Sequence, residues 1–275
     1  MTERFTLPNI RCYNRPMSNQ SKQTVTGQAA AIRAVLSIVG PAAVAVLVVS
    51  AAAAIWDVAA VSNQAMTALV LSSAAISSWL LGLRWYGAAA MGLRGGRPFT
   101  AGLGFASLLW IIFLLLRIFF VTIAPWAIES RPPDAGRTYI YLLLFEAFAT
   151  QIWTYGLIFR TVSDWRGPLT ATMVSGIIFG LIAILFFQES YAESMAGYIY
   201  FIIWGILYGL IRLRTGSLLG TVVVQSVQSF TTWIVLAPYP EPDVGQLNNL
   251  YLTATIAYMI VAWRLWPKDE TDYRV

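Results

Sequence analysis

A chain of 275 residues, 58% hydrophobic and only 11% charged, stands far from soluble proteins, in which roughly a quarter of residues carry charge. Its mean hydropathy of +0.65 excludes an ordinary soluble domain and predicts an all-α, polytopic membrane protein. There is no histidine and one cysteine, Cys12. That excludes an internal disulfide and a thiolate metal cluster, and it removes the commonest general base, metal ligand and axial haem ligand. No cofactor and no metal site are expected.

The first 32 residues read as a polar cytoplasmic tail. They hold no short apolar core followed by a small-residue cleavage site, so a cleaved signal peptide is not expected; Met17, before Ser18-Asn19-Gln20-Ser21, offers an alternative start. A helix needs about 20 apolar residues to cross the hydrocarbon layer. Eight runs qualify, over 35–56, 65–84, 103–125, 138–159, 169–188, 195–211, 217–237 and 247–266. Helices are the form expected in lipid, and no stretch alternates with period two as a barrel strand would. The membrane domain so defined covers 33–266, with a cytoplasmic tail over 267–275. Between the sixth and seventh runs, Arg212-Leu213-Arg214-Thr215-Gly216-Ser217-Leu218-Leu219 reads as a polar connector.

With the N-terminal tail inside, fifteen of the 18 lysines and arginines fall on the cytoplasmic side. Asp57, Glu129, Asp134, Glu189, Glu193, Glu241 and Asp243 lie in the opposite loops, together with Arg131 and Arg137. This asymmetry predicts both termini in the cytoplasm of a plasma or inner membrane. It also accounts for the net charge of +5 without nucleic acid, since the basic residues are dispersed and do not cluster with aromatics. Trp56, Trp85, Trp126, Trp165 and Trp266, near the ends of the runs, read as interfacial anchors. Gly176 with Gly180 and Gly205 with Gly209 form two small-xxx-small pairs suited to close helix approach.

Two charged residues lie deep in a run, Arg117 and Glu146. Leaving either without compensation in hydrocarbon costs at least a few kcal/mol, so the alternatives are a structural ion pair, a proton relay or a ligand contact. Gln151, Gln188, Gln225 and Gln228 are the notable neutral polar groups. Gln225 and Gln228 are three apart and share a helical face, where they either hold helices together or line a polar cavity.

The second half resembles the CAAX protease and bacteriocin-processing family of intramembrane endopeptidases, also called CPBP or Abi-type. The matching pieces are Gly156, Trp165-Arg166-Gly167-Pro168-Leu169, Ile178-Phe179-Gly180-Leu181 and, most specifically, Leu213-Arg214-Thr215-Gly216-Ser217-Leu218, within a core of about 146–232. The resemblance implies a helical membrane fold in which a glutamate activates water for peptide hydrolysis while histidines and an asparagine position it or hold the oxyanion. At those positions this chain departs from the pattern. The glutamate pair maps to Thr150 and Gln151, the motif arginine to Tyr155, the first histidine to Ala183, the second to Gln225, and the polar residue a turn later to Gln228 or Ser229. Glu146 lies one turn before Thr150.

No catalytic residue is therefore expected. The resemblance with these departures implies a non-catalytic family member, a pseudo-protease that binds or scaffolds another membrane protein, a hydrophobic peptide tail or lipid. Two alternatives are an active endopeptidase with divergent residues and an accessory subunit of a larger membrane complex. A small-solute transporter is disfavoured, since neither an inverted repeat nor a broken helix pair is visible. Reporter fusions after residues 62 and 275 should report opposite compartments; like compartments at those two points would refute the eight-span arrangement.

Overall fold

The computed structural model describes residues 27–55, 62–125, 134–187 and 194–274. Cys12, Met17, most of the N-terminal tail, Trp56, Asp57, Trp126, Glu129, Arg131, Gln188, Glu189 and Glu193 lie outside the described residues. Among those described are eight long helical segments at the places expected: α1 (Gly27–Ile55), α2 (Asn63–Trp85), α3 (Arg97–Phe120), α4 (Ala135–Arg166), α5 (Pro168–Phe186), α6 (Met195–Thr215), α7 (Leu219–Ser229, continuing as π-helix over Phe230–Val235) and α8 (Val244–Leu265). The first six are long and apolar enough to cross a membrane. The glutamines of α7 and Asn248 and Asn249 of α8 dilute the apolar character of the last two.

Boundaries differ from expectation where polar residues are tolerated inside helices. α1 spans Gly27–Ile55, reaching further toward the N-terminus than the apolar run over 35–56, and Arg33 is helical; its guanidinium lies 5.8 Å from the Trp85 ring centroid. α3 starts with Pro98 in its first turn and ends before the extended Val121. Arg117 is consequently one turn from the end of α3 and not in mid-span. α6 runs through Arg212 to Thr215 and stops at Gly216, whose φ of +74° closes the helix at little steric cost. The expected polar connector is thus half helix, and Arg212, Thr215 and Ser217 are all buried.

Pro41 inside α1 has no N–H, which deprives the Ser37 carbonyl of its helical donor. Trp153 of α4 donates its indole N–H to that carbonyl at 3.0 Å. About two turns of α4 further on, Thr161 shares a 2.7 Å hydrogen bond with the Ser37 hydroxyl. These two contacts dock α1 on α4. At the predicted cytoplasmic end, Arg160 pairs with Asp164 at 3.1 Å and lies over Tyr86. Burial, then the Asp164 carboxylate, pushes the Tyr86 phenol up to about 12.

α5 and α6 approach most closely along the two glycine pairs. A Cβ on Gly176 would stand 2.6 Å from Ile206 N, one on Gly180 2.8 Å from Ile202 Cα, and one on Gly205 would collide with Gly176 O. Backbone faces backbone here, so a methyl group can be accommodated only by separating the helices. Around this seam Phe179 packs edge-on against Trp204 at 5.5 Å, and Tyr200 stacks on Phe113 of α3 at 5.1 Å and packs on Tyr251 of α8 at 5.2 Å. Gly205→Ala should therefore destabilise the protein by roughly 1–3 kcal/mol. Gly104→Ala on α3, with open space at its Cβ, should be neutral or stabilise by about 0.4–1 kcal/mol. Thermal unfolding of the two variants in detergent checks both.

Candidate functional site

α4 departs from α-helical winding twice, as π-helix over Leu142–Ala149 and Ile152–Ile158. Such winding widens the turn and shifts which carbonyl each N–H reaches, and it recurs at functional sites. The helices packed around α4 answer with side-chain donors. Gln225 Nε2 on α7 donates to Glu146 O at 3.0 Å. Further along, Phe159 N–H reaches back to Thr154 O, and the next carbonyl, Tyr155 O, accepts from Arg212 Nε at 3.4 Å. Arg212 Nη2 continues to Ala90 O at 2.9 Å, and Phe159 lies under the guanidinium at 5.4 Å. Arg212 is 1% exposed, so this residue of the polar connector is a buried clamp joining α4, α6 and the segment between α2 and α3.

Between the two π segments sit Thr150 and Gln151, both fully buried. Gln151 Nε2 donates to Gln225 Oε1 at 2.7 Å, and Thr221 Oγ1 donates to Gln151 Oε1 at 2.5 Å. The positions mapped to a family glutamate and to the second histidine thus touch directly, through two neutral amides. Thr221 was missed by sequence reasoning; it lies four residues before Gln225 on α7, a spacing that puts both on one face.

The remaining mapped positions are placed as follows. Tyr155 is buried and donates its hydroxyl to Gly205 O at 2.5 Å, closing on the α5–α6 seam. Ala183 is buried on α5 in the hydrophobic core and offers no polar atom. Gln228 turns to α6, its Nε2 reaching Tyr200 Oη at 3.3 Å, while Gln225 turns to α4. Of the two alternatives for these glutamines, these contacts are those of side chains that hold helices together, each serving a different neighbouring helix. Ser229 is also buried. Thr150 Oγ1, Gln228 Oε1 and Ser229 Oγ are buried with no hydrogen-bond partner among the described residues.

Both intramembrane charges are interior, Arg117 at 0% and Glu146 at 1% exposure. Arg117 donates to Val121 O at 2.8 Å and to Leu236 O at 2.6 Å and lies over the Trp233 ring at 5.1 Å. It ties the end of α3 to the end of α7. Glu146 lies on α4 beside the Gln225 amide. Among the described residues no group of three or more His, Cys, Asp or Glu comes together to hold a metal.

Two concavities flank α4. One, of about 380 Å³, opens between α1 and α5 and is almost wholly apolar, lined by Ala42, Ala45, Val49, Trp153, Ile182 and Phe186. The other, of about 630 Å³, lies at the opposite end from Arg212 and is lined by Gln64, Asp134, Arg137, Thr138, Tyr141 and Phe145.

Comparison with curated proteins and with solved structures finds no match. Comparison with protein families does: residues 134–231 match the family described as type II CAAX prenyl endopeptidase Rce1-like. That stretch covers just over a third of the chain. It runs from the start of α4 through the π segments, α5 and α6 to Thr231 of α7, and so contains Gln151, Tyr155, Ala183, Arg212, Thr221 and Gln225. The helical segment 134–231 of this membrane protein is thus similar to the Rce1-like family of type II CAAX prenyl endopeptidases.

Proposed function

We propose that this chain is a non-catalytic member of that family, a pseudo-protease whose helical interior binds a membrane partner such as a transmembrane segment, a hydrophobic peptide tail or a lipid. The observation that carries the reading is the Gln151–Gln225–Thr221 cluster. Peptide hydrolysis needs a base to deprotonate water and a donor or metal to hold the oxyanion, each contributing a factor of about 100 or more. At the mapped positions this chain has Thr150, Gln151, Tyr155, Ala183 and Gln225. The Gln151 amide is already committed on both sides, to Gln225 and to Thr221. A neutral amide is no base, and one N–H and the oxygen of this one are already engaged. The apolar groove between α1 and α5 supports a hydrophobic partner.

One observation favours an active enzyme. Glu146 is a buried carboxylate whose own main-chain carbonyl accepts from Gln225. It stands one turn, about 6 Å, before Thr150, and a displacement of 1 Å alone can cost about 100-fold in rate.

Two measurements test the proposal. If the amides are structural, Gln225→Leu strands both the Gln151 donor and the Glu146 carbonyl and should cost roughly 1–3 kcal/mol of stability. The Gln151→Leu/Gln225→Leu pair should then cost less than the sum of the singles, by at least about 0.5 kcal/mol, in thermal unfolding in detergent. Purified protein should release no product from prenylated tail peptides or transmembrane substrates above buffer, with or without zinc, and Glu146→Gln should leave that result unchanged. Reproducible cleavage abolished by Glu146→Gln would overturn the non-catalytic reading and make Glu146 the base. Co-migration with a second membrane protein in mild detergent would instead identify the partner as a subunit.

A further inference from the structure

Beyond α8 the chain turns back across the α6–α7 connector. Arg274 N–H donates to Leu213 O at 2.9 Å. Arg214 reaches Asp272 at 3.4 Å and donates to Leu265 O at 3.1 Å. Tyr273 packs against the hydrophobic core. Gly216 permits this approach twice over, by its φ of +74° and because a Cβ there would stand 2.6 Å from Arg274 O. The connector below is itself pinned. Thr215 Oγ1 donates to Ile211 O at 2.7 Å, Ser217 Oγ to Arg94 O at 2.7 Å, and Leu218 N–H to Gly92 O at 2.9 Å. Thr221, just inside α7, then carries the hydrogen bond to Gln151.

We propose that the segment from Trp266 to Arg274 is a releasable clasp over this connector, latched by the Arg214–Asp272 ion pair. The latch side chains are 28% and 31% exposed, so salt weakens the pair where it leaves the buried Arg212 clamp alone. The backbone bond from Arg274 to Leu213 lies two residues from the latch and is kept while the latch holds the segment down. Release uncovers Leu213 O and the connector on the way to Thr221. That the release changes access to the Gln151 cluster rests on the binding reading above; the clasp itself does not.

Hydrogen–deuterium exchange on the full chain in lipid nanodiscs tests it, with wild type, Arg214→Asp, Asp272→Arg and the swapped pair Arg214→Asp/Asp272→Arg. In peptides covering 210–222 and 266–274, each single substitution should speed exchange about two- to fivefold, and the swapped pair should restore it. Wild type at about 0.5 M salt should move in the same direction as the singles, an arm that needs no variant to fold. Identical exchange in all four proteins, singles that accelerate without rescue in the swapped pair, or wild-type exchange unmoved by salt would each overturn the clasp. Substrate cleavage in the protease assay would sink the pseudo-protease reading and leave the clasp standing.

Discussion

A backbone carbonyl that loses its helical donor inside a bilayer has no water to turn to, and the interior of this protein is arranged around that constraint. Proline in α1 and the π winding of α4 each perturb the regular ladder of hydrogen bonds. Beside each perturbation a polar side chain from another helix donates to a main-chain carbonyl: Trp153 to Ser37 O, Gln225 to Glu146 O, Arg212 to Tyr155 O. Several groups that look like chemistry in a hydrophobic sequence are thereby accounted for as donors to the main chain. The same logic extends to Arg117, whose guanidinium serves two carbonyls where α3 and α7 end.

These repairs also fix the register of the family segment against the rest of the chain. α4 is held on one side by α1 through Ser37 and on the other by α7 through Gln225, and its π segments present Gln151 between them. The glycine seam then sets α6 against α5 closely enough for Tyr155 to reach Gly205 O. Gln151 and Gln225 leave such a scaffold coherent, because one amide donates to the other without any titratable charge.

Much of the fold was legible in the sequence, because hydropathy reports span-length helices directly and the glycine pairs report close approach. What escaped has a common cause. Helices extend past the apolar runs, to Arg97 and to Thr215, because polar and charged residues such as Arg33 and Arg212 continue a helix once their head groups find aromatic faces or carbonyls. The resemblance singles out Gln151 and Gln225 one by one, and their contact is seen only in the structure. Its closure by Thr221 follows from helical spacing that had been applied to Gln228 instead. The π winding left no trace in composition or periodicity, since it depends on how neighbouring helices crowd α4.

The Trp153–Ser37 hydrogen bond also bears on how the protein is made. Its two partners are separated by 116 residues of chain, and synthesis proceeds at about 5–20 residues per second. For something like ten seconds after Ser37 has been made, its carbonyl therefore has no Trp153 to receive it. During that interval the carbonyl that Pro41 leaves without a helical donor also lacks the indole that serves it in the folded chain. Assembly of the amino-terminal half is in this sense a waiting step, timed by the arrival of an indole from the second half.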